Sequence, residues 1–468
     1  MKVKIKKNNA IKKYEAEEGK NLLTFLQELS YEIYADCNGN GTCGKCLVKD
    51  LKENKLKQAC RVNIIEDMEI EVFDINASGL NKAIEREINA KKSAGIGLAL
   101  DIGTTTLAFS FVDLENGRDL KNFSQLNPQR SFGADVISRI TACKNGKTKL
   151  MQNVIVKAVN DNILKSGYDV EKIVVVGNTT MLHLFLGQNA SGLGEYPFKP
   201  NFLEKQELNG KDIGINAKKI ILLPSISAFV GADINAGILA SGMTKGNNVL
   251  LDIGTNGEIV LQYNEKLYST STAAGPCFEG AKISCGIGGV AGAIDSVQSG
   301  KITTINNEKA IGICGSGLID AISVMLEKNI IDETGAFKVA DRYYLTDTIY
   351  VSGRDVREFQ LAKSAIRAGL VALITFAECK YDDIDNLFLA GGLGYYINKE
   401  SACRVGLLPT ELKDKIKVVG NTALAGAKMC LLNERYVDEL QDVALTTTNL
   451  NLSTNEVFIE EYLNNMTF

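Results

Sequence analysis

"GIGLALDIGTTTLAFSFVDLENG", residues 95–117, runs from an apolar strand through Asp-Ile-Gly-Thr into a second apolar strand. "NNVLLDIGTNGEIVLQYNEK", residues 247–266, does the same. A single such stretch is an ordinary β-turn. Two copies, each behind a buried-looking strand, are a duplication at the scale of a subdomain. The strand delivers an aspartate, Asp101 or Asp252, to a place where it can reach a Mg²⁺ ion or its bound water. Gly103 and Gly254 permit a tight turn with exposed amides. Thr104 and Thr105 in one copy, Thr255 and Asn256 in the other, add donors for phosphate oxygens. Two such turns facing each other across a cleft would hold a triphosphate from both sides. No G-x4-G-K-[ST] occurs, so a P-loop is not the mechanism.

Working outward, "IDNLFLAGGLGYYI" (384–397) is a third apolar strand, running into Gly391, Gly392 and Gly394, whose missing side chains let backbone approach a nucleotide. "LLPSISAFVGADINAGILASG" (222–242) places Asp233 at an apparent helix start. That carboxylate either positions the water that attacks a γ-phosphate or caps the helix, a role worth about 1 kcal/mol. Glu258 and Glu279 are further candidates. Together these motifs resemble the acetate kinase, sugar kinase, heat-shock chaperone and actin superfamily. The resemblance implies an actin-like (ribonuclease H-like) two-lobed ATPase, an adenosine role for the 391–394 glycines and a catalytic role for Asp233. Other segments have plain readings. "GICGSGLIDAI" (312–322) is a glycine-rich helix start in close packing. The face of "DVREFQLAKSAIRAGL" (355–370) with Lys363 and Arg367 is solvated, and His183, the one histidine, is packed.

Near the N-terminus, "CNGNGTCGKC" (37–46) gathers three of the chain's 11 cysteines. The spacing Cys37-x5-Cys43-x2-Cys46-x13-Cys60 supplies four thiolates, three on one loop. Such a set holds a [2Fe–2S] cluster or, less readily with one C-x2-C knuckle, zinc. Gly39, Gly41 and Gly44 let amide groups turn toward cluster sulfurs and tune the potential. Residues 2–7 and 11–17 alternate as a hairpin whose "KVKIKK" predicts an edge strand. "NLLTFLQEL" (21–29) carries one apolar helix face, and "LVKDL" and "EDMEIEVF" predict strands. That order is a β-grasp, and the stretch resembles the [2Fe–2S] ferredoxins, with one residue more than their usual first spacing.

The expected organisation is α/β and α+β multidomain. A ferredoxin-like domain spans 1–79, a short helical linker 80–95, lobe I 96–245, and lobe II with a C-terminal tail 246–468. With 52 basic and 56 acidic residues, net −4, there is no electrostatic reason for nucleic acid or an anionic membrane as partner. Scattered cysteines beyond residue 60 and no apolar leader favour a cytoplasmic location. No membrane span is expected.

Over nearly the whole chain the ordered series of "NPQRSFGADVISRI", "VVVGNTTMLHLFLG", "PSISAFVGADINAG", "GICGSGLIDAI" and "LAKSAIRAG", around the DIGT pairs and behind the cysteine loop, resembles the reductive activators of corrinoid proteins. The resemblance implies one-electron reduction of Co(II) to Co(I) on a partner's corrinoid, coupled to ATP hydrolysis. It also implies a [2Fe–2S] cluster, ATP and Mg²⁺ as cofactors, an upstream electron donor and a homodimer. An ATP-coupled reductase for another metalloprotein, an actin-fold small-molecule kinase, and a redox-gated binding module stay open at this point.

Overall fold

The structure is a computed structural model that describes residues 1–468 apart from 8–9, 30, 32, 34–45, 73–89, 92, 134, 244, 299–300 and 395. The N-terminal elements are β1 (Lys2–Lys7), β2 (Ala10–Glu15), α1 (Leu22–Glu28), β3 (Leu47–Asp50), β4 (Lys55–Gln58) and β5 (Met68–Glu71). Their sheet has the order β2-β1-β5-β3-β4. β1 is therefore not an edge strand, as its lysines predict, but lies between β2 and β5. Val3 and Ile5 are fully buried, while Lys4 and Lys6 stand in register with Glu69 and Glu71 on β5 and pair with them. Opposite charges across a ladder let an alternating basic strand sit inside a sheet. α1 begins at Asn21, whose Oδ1 accepts the Leu23 and Thr24 amides and whose Nδ2 donates to the Cys60 carbonyl at 2.9 Å. The helix cap thus also ties down the segment that carries the last cysteine.

The linker expected over 80–95 falls largely outside the described residues. Residues 90, 91 and 93–95 are not helical. The Lys91 amide donates to Leu432 and the Ser93 amide to Leu114, so this end of the linker lies along the following domain.

Lobe I holds β6 (Ile96–Ile102), β7 (Thr106–Asp113), β8 (Asp119–Leu126), α2 (Val136–Lys144), α3 (Thr148–Ser166), β9 (Val170–Gly177), α4 (Thr179–Phe185), β10 (Gln206–Asn209), α5 (Gly210–Ile213), β11 (Ala217–Leu222) and α6 (Ala232–Ser241). Lobe II begins with β12 (Asn248–Ile253), β13 (Gly257–Tyr263), β14 (Lys266–Thr272), β15 (Ala293–Gln298), β16 (Lys301–Thr304), β17 (Gly312–Ile313), α7 (Gly315–Glu327), β18 (Arg342–Tyr344), β19 (Tyr350–Ser352) and α8 (Gly353–Phe376). It continues with β20 (Asn386–Ala390), α9 (Gly391–Gly394), α10 (Lys399–Arg404), β21 (Ile416–Gly420), α11 (Thr422–Leu432), α12 (Arg435–Thr446), β22 (Thr448–Asn449) and α13 (Glu456–Asn464).

The duplication read from the two DIGT stretches extends through both main sheets. One runs β10-β11-β9-β6-β7-β8, the other β21-β20-β12-β13-β14-β22. In each, the strand before the DIGT turn is central, pairs antiparallel with the strand after it, and pairs parallel with a strand from further along the chain. Such central strands are buried on both faces, hence their unbroken apolar runs.

Between the sheets lie α6 and α11, crossed closely. A Cβ placed on Gly426 would stand 2.2 Å from the Ala236 carbonyl oxygen, and one on Gly237 2.9 Å from Thr422 Oγ1. On α6, Ala232 and Ala236 join the lobe I core, while Ile234 and Ile238 pack with Leu250, Val260 and Phe388 of the second sheet. α11, late in the sequence, returns to lobe I and sends Leu424, Ala427 and Leu431 into its core.

α8 has the length and composition to cross a bilayer, yet 72% of its apolar window is buried in lobe II. The solvated face expected for it is instead covered by α13 and the chain end. Lys363 is 1% exposed. Its Nζ donates to the Thr467 carbonyl at 2.5 Å and lies 5.0 Å from the Phe468 ring centroid. Burial, with the charge of Arg367 adding to it, pushes its ammonium down to about 8. Arg367 lies over the Tyr381 ring.

Candidate active site

The DIGT turns meet across the gap between the sheets. The cleft is lined by Asp101, Gly103, Thr104 and Thr105 from lobe I and by Asp252, Gly254, Thr255 and Asn256 from lobe II. Asp233 of α6, Glu258, Glu279, Gly391 and Gly392 complete it with Asn178 and Asn421. A second cavity adjoins it, lined by Phe278, Gly315, Ser316, Gly392, Leu393 and Tyr396. Gly394 lines neither. It packs against Leu389, whose carbonyl oxygen would stand 3.0 Å from an added Cβ. Gly391 adopts φ +82°, and a Cβ there would come within 2.5 Å of Asp252 Oδ1. A side chain at this position would push into the carboxylate that the second turn delivers.

The first turn is braced from beneath by residues whose role no local motif assigns. Asn127 Nδ2 donates to the Gly103 carbonyl at 2.8 Å, and the Thr105 carbonyl accepts the Asn127 amide at 2.9 Å. Arg139, fully buried, donates to the Thr104 carbonyl at 2.5 Å and to the Gly133 carbonyl at 3.0 Å. Burial and the neighbouring Arg130 charge push its guanidinium down to about 9. Asn178 Nδ2 donates to Thr104 Oγ1 at 3.0 Å. All three braces lie in "NPQRSFGADVISRI" and "VVVGNTTMLHLFLG", motifs whose order was legible but whose contacts are long-range.

The carboxylates are crowded. Asp252 stands opposite Glu258 across the β12–β13 ladder, a like-charge pair. Lobe I has Ala108 at the matching place. Asp101 is pushed up to about 7, first by burial, then by the charges of Asp233 and Asp252, against a 3.2 Å hydrogen bond from Asn421 Nδ2. Asp252 is likewise pushed up to about 7 by burial and by Asp233 and Glu279. Glu258 is raised well above the carboxylate range by burial, Asp233 and Asp252. Asp233 does not cap α6. Gly231 is the N-cap, and Asp233 sits inside the first turn, accepting the Ile234 amide at 2.9 Å. Burial lifts it to about 6.

Among the described residues, no three His, Cys, Asp or Glu side chains converge closely enough to hold an ion by themselves. Asp101 and Asp252, one from each turn, are oxygen donors of the kind that Mg²⁺ takes together with waters and phosphate oxygens. His183 is inside: Nδ1 bonds the Thr179 carbonyl, Nε2 accepts the Asn201 amide, and the ring stacks on Phe202. Burial pushes its pKa down.

In the β-grasp domain, Cys37, Cys43, Gly39, Gly41 and Gly44 lie outside the described residues. Cys46 and Cys60 are adjacent: the Cys60 amide donates to Cys46 Sγ at 3.3 Å, and the Ala59 amide to the Cys46 carbonyl at 2.7 Å. An amide aimed at a sulfur is what a cluster thiolate needs, so the described half of the thiol set fits an iron–sulfur group.

Family comparisons agree along the chain. Residues 5–68 match the 2Fe-2S iron-sulfur cluster binding domain, 96–246 the RACo middle region, and 246–468 the C-terminal domain of RACo, the ASKHA domain. The corrinoid activation enzyme RamQ of Eubacterium limosum is 33% identical over 423 residues, 81% of this chain and 71% of its own length. The chain belongs to the RACo family. A [Co(II) methylated amine-specific corrinoid protein] reductase of Methanosarcina barkeri is 28% identical over 413 residues, covering 78% of this chain and 76% of its own. A solved structure titled reductive activator for corrinoid,iron-sulfur protein superposes with a TM-score of 0.74 at 25% identity, over 100% of this chain and 98% of that one. The RACo architecture is the one described above: a [2Fe–2S] β-grasp domain followed by a duplicated actin-like ATP-binding unit.

Proposed function

We propose that this RACo-family chain reactivates a corrinoid protein, passing one electron to Co(II) to regenerate Co(I) and coupling that step to ATP hydrolysis. The observation that carries the reading is the pair of phosphate turns closing one carboxylate-lined cleft, in a chain that also sets Cys46 beside Cys60. A [2Fe–2S] cluster on Cys37, Cys43, Cys46 and Cys60 supplies low-potential single-electron chemistry. A Mg²⁺ held by Asp101 and Asp252 would neutralise triphosphate charge.

The chain's own residues do the rest. Gly103, Thr104 and Thr105 present one set of donors to the phosphates, and Gly254, Thr255 and Asn256 the other. Gly391 and Gly392 admit the adenosine. Asp233 orients the attacking water and takes its proton, a role suited to a carboxylate lifted toward neutrality. The reading uses the division 1–79, 80–95, 96–245 and 246–468, supported by the separate sheets. An upstream reductant and a homodimer belong to it by family likeness. A cytoplasmic location belongs to the reading, in line with the scattered cysteines beyond residue 60.

The test is anaerobic. The pre-reduced protein is mixed with a Co(II) corrinoid protein, and cobalt absorbance is followed with and without MgATP. Loss of the Co(II) band that depends on ATP is expected. Equal reduction without nucleotide, or phosphate transfer to a small metabolite with no effect on cobalt, would overturn the proposal.

A further inference from the structure

Glu279 stands where the two turns meet. Its Oε2 accepts Thr105 Oγ1 of lobe I at 2.8 Å, and its Oε1 accepts Thr255 Oγ1 of lobe II at 3.0 Å. One threonine hydroxyl from each turn, of those the turns offer to a phosphate, is thus directed at the same carboxylate. Glu279 also lines both cavities, the carboxylate-rich cleft on one side and the space before Gly315, Ser316 and Tyr396 on the other. We propose that Glu279 is a built-in occupant of the phosphate seat: it partitions one nucleotide groove into two compartments, latches the lobes together, and must be displaced for ATP to bind.

The inference rests on the reading of the cleft as an ATP site and goes beyond it. A carboxylate and a phosphoryl group make the same demand, two anionic oxygens for two hydroxyl donors. They cannot share the seat, because like charges at that separation repel strongly in a partly desolvated site. Once Glu279 moves aside, the two spaces join, with phosphates on the aspartate side and the nucleoside on the Gly392–Tyr396 side. The segment is built to move as a short unit. Glu279 ends the turn Pro276–Glu279, flanked by Gly275 at φ +79° and Gly280 at φ +77°. Behind it Phe278 is buried, and its carbonyl oxygen would stand 2.1 Å from a Cβ on Gly315, the first residue of α7. Displacement of Glu279 is therefore passed to the start of α7 through the close approach of Phe278 to Gly315.

A competing internal anion has a consequence opposite in sign to that of a metal ligand or a structural residue: its removal tightens ATP binding. The test compares the full-length protein with Glu279→Gln and Glu279→Ala, measuring ATP affinity by anaerobic calorimetry with Mg²⁺ and again with chelator. Both variants are expected to bind ATP roughly ten-fold tighter, ~1.4 kcal/mol, in either condition. The Gln variant keeps the shape and a hydrogen bond, so it separates charge from folding. Unchanged or weaker binding in a folded Gln variant overturns the inference while leaving the ATP-site reading intact. No ATP binding by the unaltered protein removes that reading, and this inference with it.

Discussion

Asp101 and Asp252 show how one residue's chemistry is set by its neighbours. Both are lifted to about 7, because burial and the charge of Asp233 oppose ionisation. Unfolded, each would ionise near the ordinary carboxylate value of about 3.9. The folded protein thus keeps their protons to higher pH than the unfolded chain does. The resulting stability is full below about pH 4 and is lost as pH rises through about 7. In chelator, the urea midpoint should therefore fall more steeply from about pH 5 to pH 8 in the unaltered protein than in Asp252→Asn, which removes one of the titrating charges. A slope equal in the two proteins would mean that these carboxylates are not charge-strained. Asp233→Ala should lower the rate of phosphate release by about 10²- to 10⁴-fold, the range of a positioned general base, with ATP affinity held by the turns. An unchanged rate would move the catalytic role to Glu258.

At the scale of elements, the crossing of α6 and α11 is the joint on which the lobes meet. Gly426 faces the Ala236 carbonyl across it, with 2.2 Å left for a Cβ. Since backbone cannot yield as a side-chain tip does, Gly426→Ala should cost about 1–3 kcal/mol, as overpacked cores do, read as a lower urea midpoint. No loss would show that the joint has slack. The strands flanking each DIGT turn were legible because a central strand buried on both faces writes its burial as an apolar run. The return of α11 to the first sheet was not, since its apolar pattern names no partner. β1 looked like an edge because its lysines are visible in its own sequence, whereas their partners Glu69 and Glu71 are more than sixty residues away. Lys363 looked solvated because periodicity cannot foresee that α13 and the chain end cover α8. In the site, the turn residues carried their chemistry in the motif. Asn127, Arg139 and Asn178 act only through the fold, so no local signal marks them.

For the whole molecule, the question is whether two machines are coupled or merely joined. Electron transfer needs the thiol set near Cys46 and Cys60, and hydrolysis needs the cleft around Asp233. A deficit of 59 mV for one electron is a factor of about ten in equilibrium, roughly 1.4 kcal/mol, small beside what ATP cleavage can drive through lobe closure. If the two are coupled only through the partner complex, they separate cleanly in the isolated protein. Cys46→Ser should lose iron and all cobalt reduction yet hydrolyse ATP alone at a rate within about two-fold of the unaltered protein, as distant independent sites usually behave. Asp233→Ala should keep its iron and the EPR signal of a reduced two-iron centre yet fail to reduce Co(II) with ATP present. A joint loss in either variant, hydrolysis falling with the cysteine or the EPR signal vanishing with the aspartate, would place the coupling inside this chain. The electron and the phosphate would then communicate before any corrinoid protein arrives.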